Sequence, residues 1–509
     1  MNTLWHATWY TFSYLVFFYS MAIMASYLVL VWLSYREQKR KEKEVPDDET
    51  LKYMLKSSPL TPAVSVIAPA YNEHVNIITN AYSLLGLDYP SFEVIIVNDG
   101  STDATLDLLK QEFDLEEVSL SVEYKVPCTR IVAIYKSKDK RFSNLTVVDK
   151  VNGGRKADST NAGINVCQTP YFVCTDADCI IDPMALYRMM WLVINSHEPM
   201  IGVGATMLMS NDCDIDWVKR QVAVTDENKR LDDLKKKEET ADEKEKTPSL
   251  PARFFDWLVN LPVLWGILAC FQQLEYLRSF LIGKLGWSGL NALPNISGGF
   301  GLFDTEVAIS SGGYDRTSMA EDMDMLLRMV TYMCNNDLPF RVGQVTQACC
   351  WTKGPESAKG LFNQRSRWGR GLFEIIVNHW EMLFRPKYGV IGAVTLPYLF
   401  VFEFLAGFIE FVGFWYSVWL FFHGAINWNT FFYILGMIYL FSVLMTFVLM
   451  FFDYRTKAVT WKHRARRYVK FLLLSLVEPF YHFTIVHITL WGYLNYLRNK
   501  GTVWKTIER

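Results

Sequence analysis

Three acidic clusters stand where apolar runs end, and each carries residue types suited to a charged, oxygen-rich substrate. Val97-Asn98-Asp99-Gly100-Ser101-Thr102-Asp103 closes the run Phe92–Val97. Asn-Asp-Gly-Ser is ordinary turn chemistry with a helix cap; a carboxylate at such an edge could equally accept hydrogen bonds from a nucleotide base or ribose. Thr175-Asp176-Ala177-Asp178 follows the run Tyr171–Thr175. Carboxylates at i and i+2 on extended chain can converge on one hard cation where the strand end bends, and Mg²⁺ takes one or two protein carboxylates beside substrate phosphates. The alternative is that one Asp caps a helix starting at Pro183. Ala320-Glu321-Asp322 opens a helix running toward Met333. Acidic residues there suit the helix dipole whatever the function, and a carboxylate beside an acceptor hydroxyl could act as general base.

Two further pieces supply positive charge. Asn152-Gly153-Gly154-Arg155-Lys156 is a Gly-containing loop leading into the helix Ala157–Val166. Loop amides, a helix N-terminus and Lys156 together suit a diphosphate. Gln364-Arg365-Ser366-Arg367-Trp368 lies in a helical stretch, where spacings of three and four put Gln364, Arg367 and Trp368 on one face. Arg367 could neutralise a leaving diphosphate and Trp368 stack on a sugar ring; a Trp–Arg anchor at a membrane surface is the other reading.

The elements that must position these groups alternate. Ala63–Ala68, Phe92–Val97, Ile131–Tyr135 and Tyr171–Thr175 are short buried-strand runs, interleaved with helical patterns over Val75–Leu85 and from Ala104. The alternation predicts an α/β domain over residues 61–371 with a mostly parallel sheet covered on both faces. Ligands bind such sheets beyond the carboxyl ends of the strands, where the acidic clusters fall. Lys229–Lys246 is almost entirely charged with no apolar stripe and reads as an insertion, either a solvated helix or a disordered excursion.

Both ends of the chain turn apolar. Trp9–Leu33 has no Lys, Arg, Asp or Glu and is long enough to span a bilayer, and Arg36, Lys39, Arg40, Lys41 and Lys43 follow at once. The positive-inside rule places the N-terminus outside (residues 1–35 forming the first span) and the following domain in the cytoplasm. Pro251–Trp287 suits an amphipathic helix at the membrane surface. Within the C-terminal membrane region 388–497, Tyr388–His423 and Trp428–Phe452 are apolar enough to cross. Phe471–Leu497 is flanked by basic residues on both sides and holds Glu478-Pro479, so a broken, re-entrant pair returning the basic tail 498–509 to the cytoplasm is expected. A net charge of -2 gives no global bias toward nucleic acid. Nine cysteines without a C-x-x-C pair suit reduced thiols in a cytosolic compartment.

Taken in order, Ala70-Tyr71-Asn72-Glu73, Asn98-Asp99-Gly100, Asp176-Ala177-Asp178, Glu321-Asp322 and Gln364-x-x-Arg367-Trp368 resemble the membrane-embedded family 2 glycosyltransferases, which include cellulose, hyaluronan and poly-N-acetylglucosamine synthases. Ser297-Gly298-Gly299-Phe300-Gly301 looks like the acceptor-side loop of that group, and the resemblance covers about Pro62 to Gly371. It implies a GT-A fold flanked by transmembrane and interfacial helices, a UDP-sugar donor, Mg²⁺ or Mn²⁺, and single-displacement inversion. Tyr71, Glu73 and Asp99 would meet the nucleoside, Lys156 and Asp176 would lie near the diphosphate, and Glu321 would be among the substrate-binding residues. Asp178, with Asp176, would hold the metal, Asp322 would be the base, and Gln364, Arg367 and Trp368 would close the site. The third acidic motif reads Ala-Glu-Asp where cellulose synthases have Thr-Glu-Asp, and fewer spans are visible than those enzymes carry. The leading expectation is a β-linked exopolysaccharide synthase in a bacterial inner or plasma membrane. The alternatives are a non-processive enzyme adding one sugar to a lipid carrier and a non-enzymatic membrane scaffold. Expected partners are the UDP-sugar, a carbohydrate or lipid-linked acceptor, membrane lipids, and a homo-oligomeric or export partner; nucleic acid is not expected.

Overall fold

The computed structural model describes residues 2–119, 121–176, 179–211, 216–239, 262–456 and 461–498. They fall into two compact units, one holding Lys41–Tyr276 and Leu293–Leu361, the other Met1–Arg40, Leu277–Ala292 and Phe362–Lys500.

The first unit is built on one ten-stranded sheet. Its strands are β1 Val64–Ala70, β2 Phe92–Asn98, β3 Leu115–Glu117, β4 Ile131–Ser137, β5 Leu145–Lys150, β6 Tyr171–Thr175, β7 Ile180–Ile181, β8 Met200–Met209, β9 Phe300–Asp304 and β10 Arg341–Thr352, in the order β3-β4-β5-β2-β1-β6-β9-β8-β10-β7. The central strands read as continuous runs of Val, Ile and Ala rather than alternating ones because both faces are covered. β5, β2, β1 and β6 are parallel neighbours, with Ala70 opposite Asn98 and Asn98 opposite Asp149. Their carboxyl ends are therefore level, and the residues leaving them share one edge.

The sheet is mixed beyond that parallel centre. β4 runs antiparallel to β5, and β9 runs antiparallel to both β6 and β8. An apolar run encodes burial but not direction, so strand–helix alternation shows the parallel strands and leaves these reversals unannounced. Because β9 reverses and β8 reverses again, β8 and its parallel neighbour β10 end on the same edge as β1 and β6. The charged insertion is helical as far as it is described, within Asp216–Glu239; residues 240–246 lie outside the described residues.

One buried lysine ties the carboxyl edge together. Lys150, the last residue of β5, has a fully buried side chain whose ammonium pairs with Asp99 at the end of β2 and with Asp158 at 2.7 Å. Asp158 also accepts from the Thr129 amide and hydroxyl and from Arg316. Burial alone would push the Asp158 carboxyl up, but bonds from Lys150 and Thr129 carry it below its ordinary value. Gly153 lets the loop close over this pair, since a Cβ there would sit 2.2 Å from Asp158 Oδ2.

The second unit is helical. Val16–Glu44, Ile391–Phe422 and Trp428–Arg455 are long and apolar enough to cross a membrane. The final pair, Arg464–Ser475 and Glu478–Leu497, is bent by 68° at a short break, with Pro479 in the first turn after it. Glu478, isolated in sequence, is paired with both Arg278 guanidinium nitrogens and accepts from the Ser442 hydroxyl. A carboxylate in so apolar a setting persists because its counter-ion is built in. The helix Ala358–Asn378 meets Glu478–Leu497 where Gly492 lacks a side chain: a Cβ there would lie 2.3 Å from the Ser366 carbonyl oxygen. The described part of Pro251–Trp287 begins with the helix Pro262–Arg278, which belongs to the first unit as far as Tyr276 and whose residues Ala269–Leu274 are buried.

Lys150→Met keeps most of the side-chain volume but strands two buried carboxylates. It is expected to cost about 3–5 kcal/mol, read as a lowered melting temperature of the detergent-solubilised protein. A variant melting with wild type would mean that the network does not hold this edge.

Candidate active site

The loops leaving β1 and β2 are locked to each other. Asn72 adopts φ 55°, a left-handed conformation that Asn tolerates, and its side chain accepts from the Thr102 amide while its own amide donates to Ser101 Oγ. The Glu73 amide donates to Thr105 Oγ1 at 2.8 Å. His74 reaches Asp103 Oδ2 with Nδ1 at 2.7 Å. Tyr71 is 44% exposed beside them, open to an aromatic ligand. Asp99 is buried, and its Oδ1 accepts from Lys150 and from the Gly153 amide at 2.9 Å. The carboxylate read from sequence as a direct ligand contact thus also holds the Gly-containing loop against the end of β2.

That loop delivers Lys156. Arg155 donates to the carbonyls of Thr317 and Ser318, just ahead of Glu321-Asp322. Lys156 Nζ then lies 2.5 Å from Asp176 Oδ1 and 2.6 Å from the Gly298 carbonyl. Burial works against its charge, but the Asp176 carboxylate, with Glu321 contributing, outweighs burial and raises the ammonium above the ordinary lysine range. Asp322 meets the same residue from its other side: its Oδ2 accepts from the Gly298 amide at 3.1 Å and its Oδ1 from the Met323 amide at 2.8 Å. The residue at the start of the Gly298–Gly301 turn is therefore gripped by a cation at its carbonyl and a carboxylate at its amide. Glu321 is buried, and Asp322 half-buried, at the start of Glu321–Asn335.

Of the sequence-predicted residues, this unit brings Tyr71, Glu73, Asp99, Lys156, Asp176, Glu321 and Asp322 to one sheet edge and the helix and loop beside it. Asp178 lies outside the described residues. Among the described residues no group of three or more His, Cys, Asp and Glu is placed to hold a metal. Asp176, a hard oxygen donor already balanced by the Lys156 ammonium, fits an ion completed by substrate phosphates rather than by a protein cage. Gln364, Arg367 and Trp368 belong to the helical unit, on Ala358–Asn378. Gln364 is buried, Trp368 is 39% exposed, and the Arg365 guanidinium lies 4.4 Å from the Trp368 ring centroid.

Sequence reasoning missed Lys150, Asp158 and His74. A lysine ending an apolar run reads as a solvated strand end. The available signal was that Leu145–Val148 is itself a strand run, which puts Lys150 at the same edge as Asp99.

Residues 65–122 and 129–255 match the family model of glycosyl transferase family 2, and residues 265–454 match that of glycosyl transferase family group 2. The chain is 24% identical over 327 residues to the poly-beta-1,6-N-acetyl-D-glucosamine synthase of Staphylococcus epidermidis and 25% identical over 327 residues to that of Staphylococcus aureus. Those matches cover 64% of this chain and 58% of each relative, a little over half the relatives' length. Among solved structures it is similar to a mannosyltransferase from Pyrobaculum calidifontis in complex with GDP-Man and Mn²⁺, with a TM-score of 0.49 and 15% identity over 95% of this chain and 99% of that one. It is also similar to S. aureus TarS in complex with UDP-GlcNAc, with a TM-score of 0.36 and 14% identity over 82% of this chain and 91% of that one. With the two family models together spanning most of the chain, the chain belongs to the family 2 glycosyltransferases.

Proposed function

We propose that the chain is an inverting, metal-dependent glycosyltransferase that moves an N-acetylhexosamine or hexose from a UDP-sugar to a growing β-linked polysaccharide. The observation that carries this reading is that Lys156 bridges Asp176 and the Gly298 carbonyl while Asp322 accepts from the amide of the same Gly298. That arrangement supports reading Lys156 as a donor-side cation, Asp176 as a metal-type carboxylate and Asp322 as the base, all within residues that the family models match. The preference for an N-acetylhexosamine and for a polymer is supported by the staphylococcal relatives, whose printed name is poly-beta-1,6-N-acetyl-D-glucosamine synthase. Three apolar helices support a membrane protein, and the basic residues after the first span support a cytoplasmic catalytic unit.

Tyr71, Glu73 and Asp99 would take the nucleoside at the ends of β1 and β2. Lys156, now shared between Asp176 and a carbonyl, can pass its charge to a diphosphate oxygen without leaving the loop. Asp176 and Asp178 would hold Mg²⁺ or Mn²⁺, which when bound supplies neutralisation of the charge growing on the leaving diphosphate. Asp322, with both carboxylate oxygens fixed by amides, takes the proton of the acceptor hydroxyl as that oxygen bonds to the anomeric carbon. The bond from this carbon to the diphosphate oxygen breaks in the same step, UDP leaves with the electron pair, and the configuration inverts. A single base without a partnered nucleophile suits one displacement. The family pattern Gln-x-x-Arg-Trp over Gln364, Arg367 and Trp368 supports Arg367 neutralising the leaving diphosphate and Trp368 stacking on a sugar ring.

Asp322→Asn is nearly isosteric and should keep UDP affinity while turnover falls ~10²–10⁴-fold. Glu321→Gln, assayed in parallel, should lose less. If the Asp322 variant keeps more than about a tenth of wild-type turnover, Asp322 is not the base. Turnover should also vanish in excess chelator, return with Mg²⁺ or Mn²⁺, and stay absent in Asp178→Asn; full activity in chelator contradicts the metal assignment.

A further inference from the structure

The charged helix Asp216–Glu239 has no place in the family motifs, yet Lys353 and His74 hold it to the site edge. At one point Lys353, the first residue after β10, lies 2.8 Å from Asp226. Six residues on, Asp232 accepts from His74 Nε2 at 2.9 Å, and His74 Nδ1 binds Asp103 at 2.7 Å. Asp226 and Asp232 are separated by about 9 Å along a helix axis. Their anchors follow the carboxyl ends of β10 and β1, and in the strand order β1-β6-β9-β8-β10 the end of β6, with Asp176, falls between them. The helix is thus tied down on both sides of the strand that delivers the metal-type carboxylate.

We infer that Asp216–Glu239 is a strap across the donor edge and that His74 is its proton-operated latch, so that nucleotide exchange quickens when His74 loses its proton. The inference rests on the nucleotide-sugar reading above. The chemistry lies in the donor count. An imidazolium donates from both ring nitrogens and satisfies both carboxylates, whereas a neutral ring has one N–H and turns a lone pair toward the other. Asp103 is additionally held by the Thr105 amide and hydroxyl, so it stays in place whichever way the ring is protonated. The charged groups acting on the ring are Asp232 from the strap and Asp103 from the loop after β2. The Asp232 bond, against the opposing effect of burial and with Asp103 adding, raises His74 above its ordinary value. With a raised value the latch is complete below the ordinary histidine pKa of ~6.5 and is lost as pH climbs through the higher folded-state value. His74 directly follows Glu73, so strap and nucleoside loop share this one side chain. It is a positioning residue.

The test uses the full-length protein in detergent with Mg²⁺ and UDP as the probe. UDP dissociation should be slower at about pH 6 than at about pH 9, by roughly two- to tenfold, the range for one partly exposed charged hydrogen bond. His74→Gln and Asp232→Asn should each release UDP at the fast rate at all pH values, and the double variant should be no faster, because both remove one interaction. Hydrogen exchange of residues 216–239, compared between variants at a single pH, should quicken in each. If Asp232→Asn keeps the wild-type release rate, pH profile and exchange, the latch does not exist. If wild type binds no UDP, the nucleotide reading fails, and the exchange comparison alone decides the latch.

Discussion

The site depends on one ammonium buried between two carboxylates. Lys150 ends β5, Asp99 ends β2, and Asp158 lies in the first turn of the helix Lys156–Val166. A charge withdrawn from water on this scale is tolerated only when its partners are complete. The three elements therefore have one relative position compatible with folding. Lys156 precedes Asp158 by two residues, so fixing Asp158 also fixes where Lys156 starts. Its ammonium then reaches Asp176 and Gly298 from a helix whose first turn is already anchored.

The second tier of the site follows from the first. Arg155 and Arg316 link the Gly-containing loop and its helix to the segment just before Glu321. Through them, the network that fixes the donor-side cation also sets the start of the helix bearing the proposed base. Gly298 is the joint between these halves, its carbonyl read by Lys156 and its amide by Asp322. On the proposed roles, a diphosphate drawing Lys156 away would loosen one side of that joint while leaving Asp322 on the other, so donor binding and base placement would be coupled through a single residue.

Much of this was legible in the sequence because burial on both faces leaves a plain mark. Phe92–Val97 and Tyr171–Thr175 are runs that only a covered strand explains, and the polar residues after them had to reach the carboxyl edge. What stayed hidden shares one cause: long-range partners leave no local pattern. Lys150 and Asp158 look like a strand-end lysine and a first-turn aspartate until the fold brings them together. Phe300–Asp304, which overlaps the loop read over Ser297–Gly301, is a strand whose antiparallel direction is set by its neighbours β6 and β8. Glu478 looked like a misfit in an apolar segment, and its explanation, Arg278, lies 200 residues away. The charged stretch from Lys229 reads as a solvated helix or a disordered excursion because nothing in its composition announces His74 as the partner of Asp232.

The central claim is that this edge transfers sugar from a UDP-sugar. It is tested most directly by incubating the purified protein with Mg²⁺ and each of a panel of labelled UDP-sugars, following UDP release and sizing the product. The account predicts UDP release from one donor above the others, with label in a β-linked polymer. A panel in which no donor yields UDP above the rate without protein would contradict it.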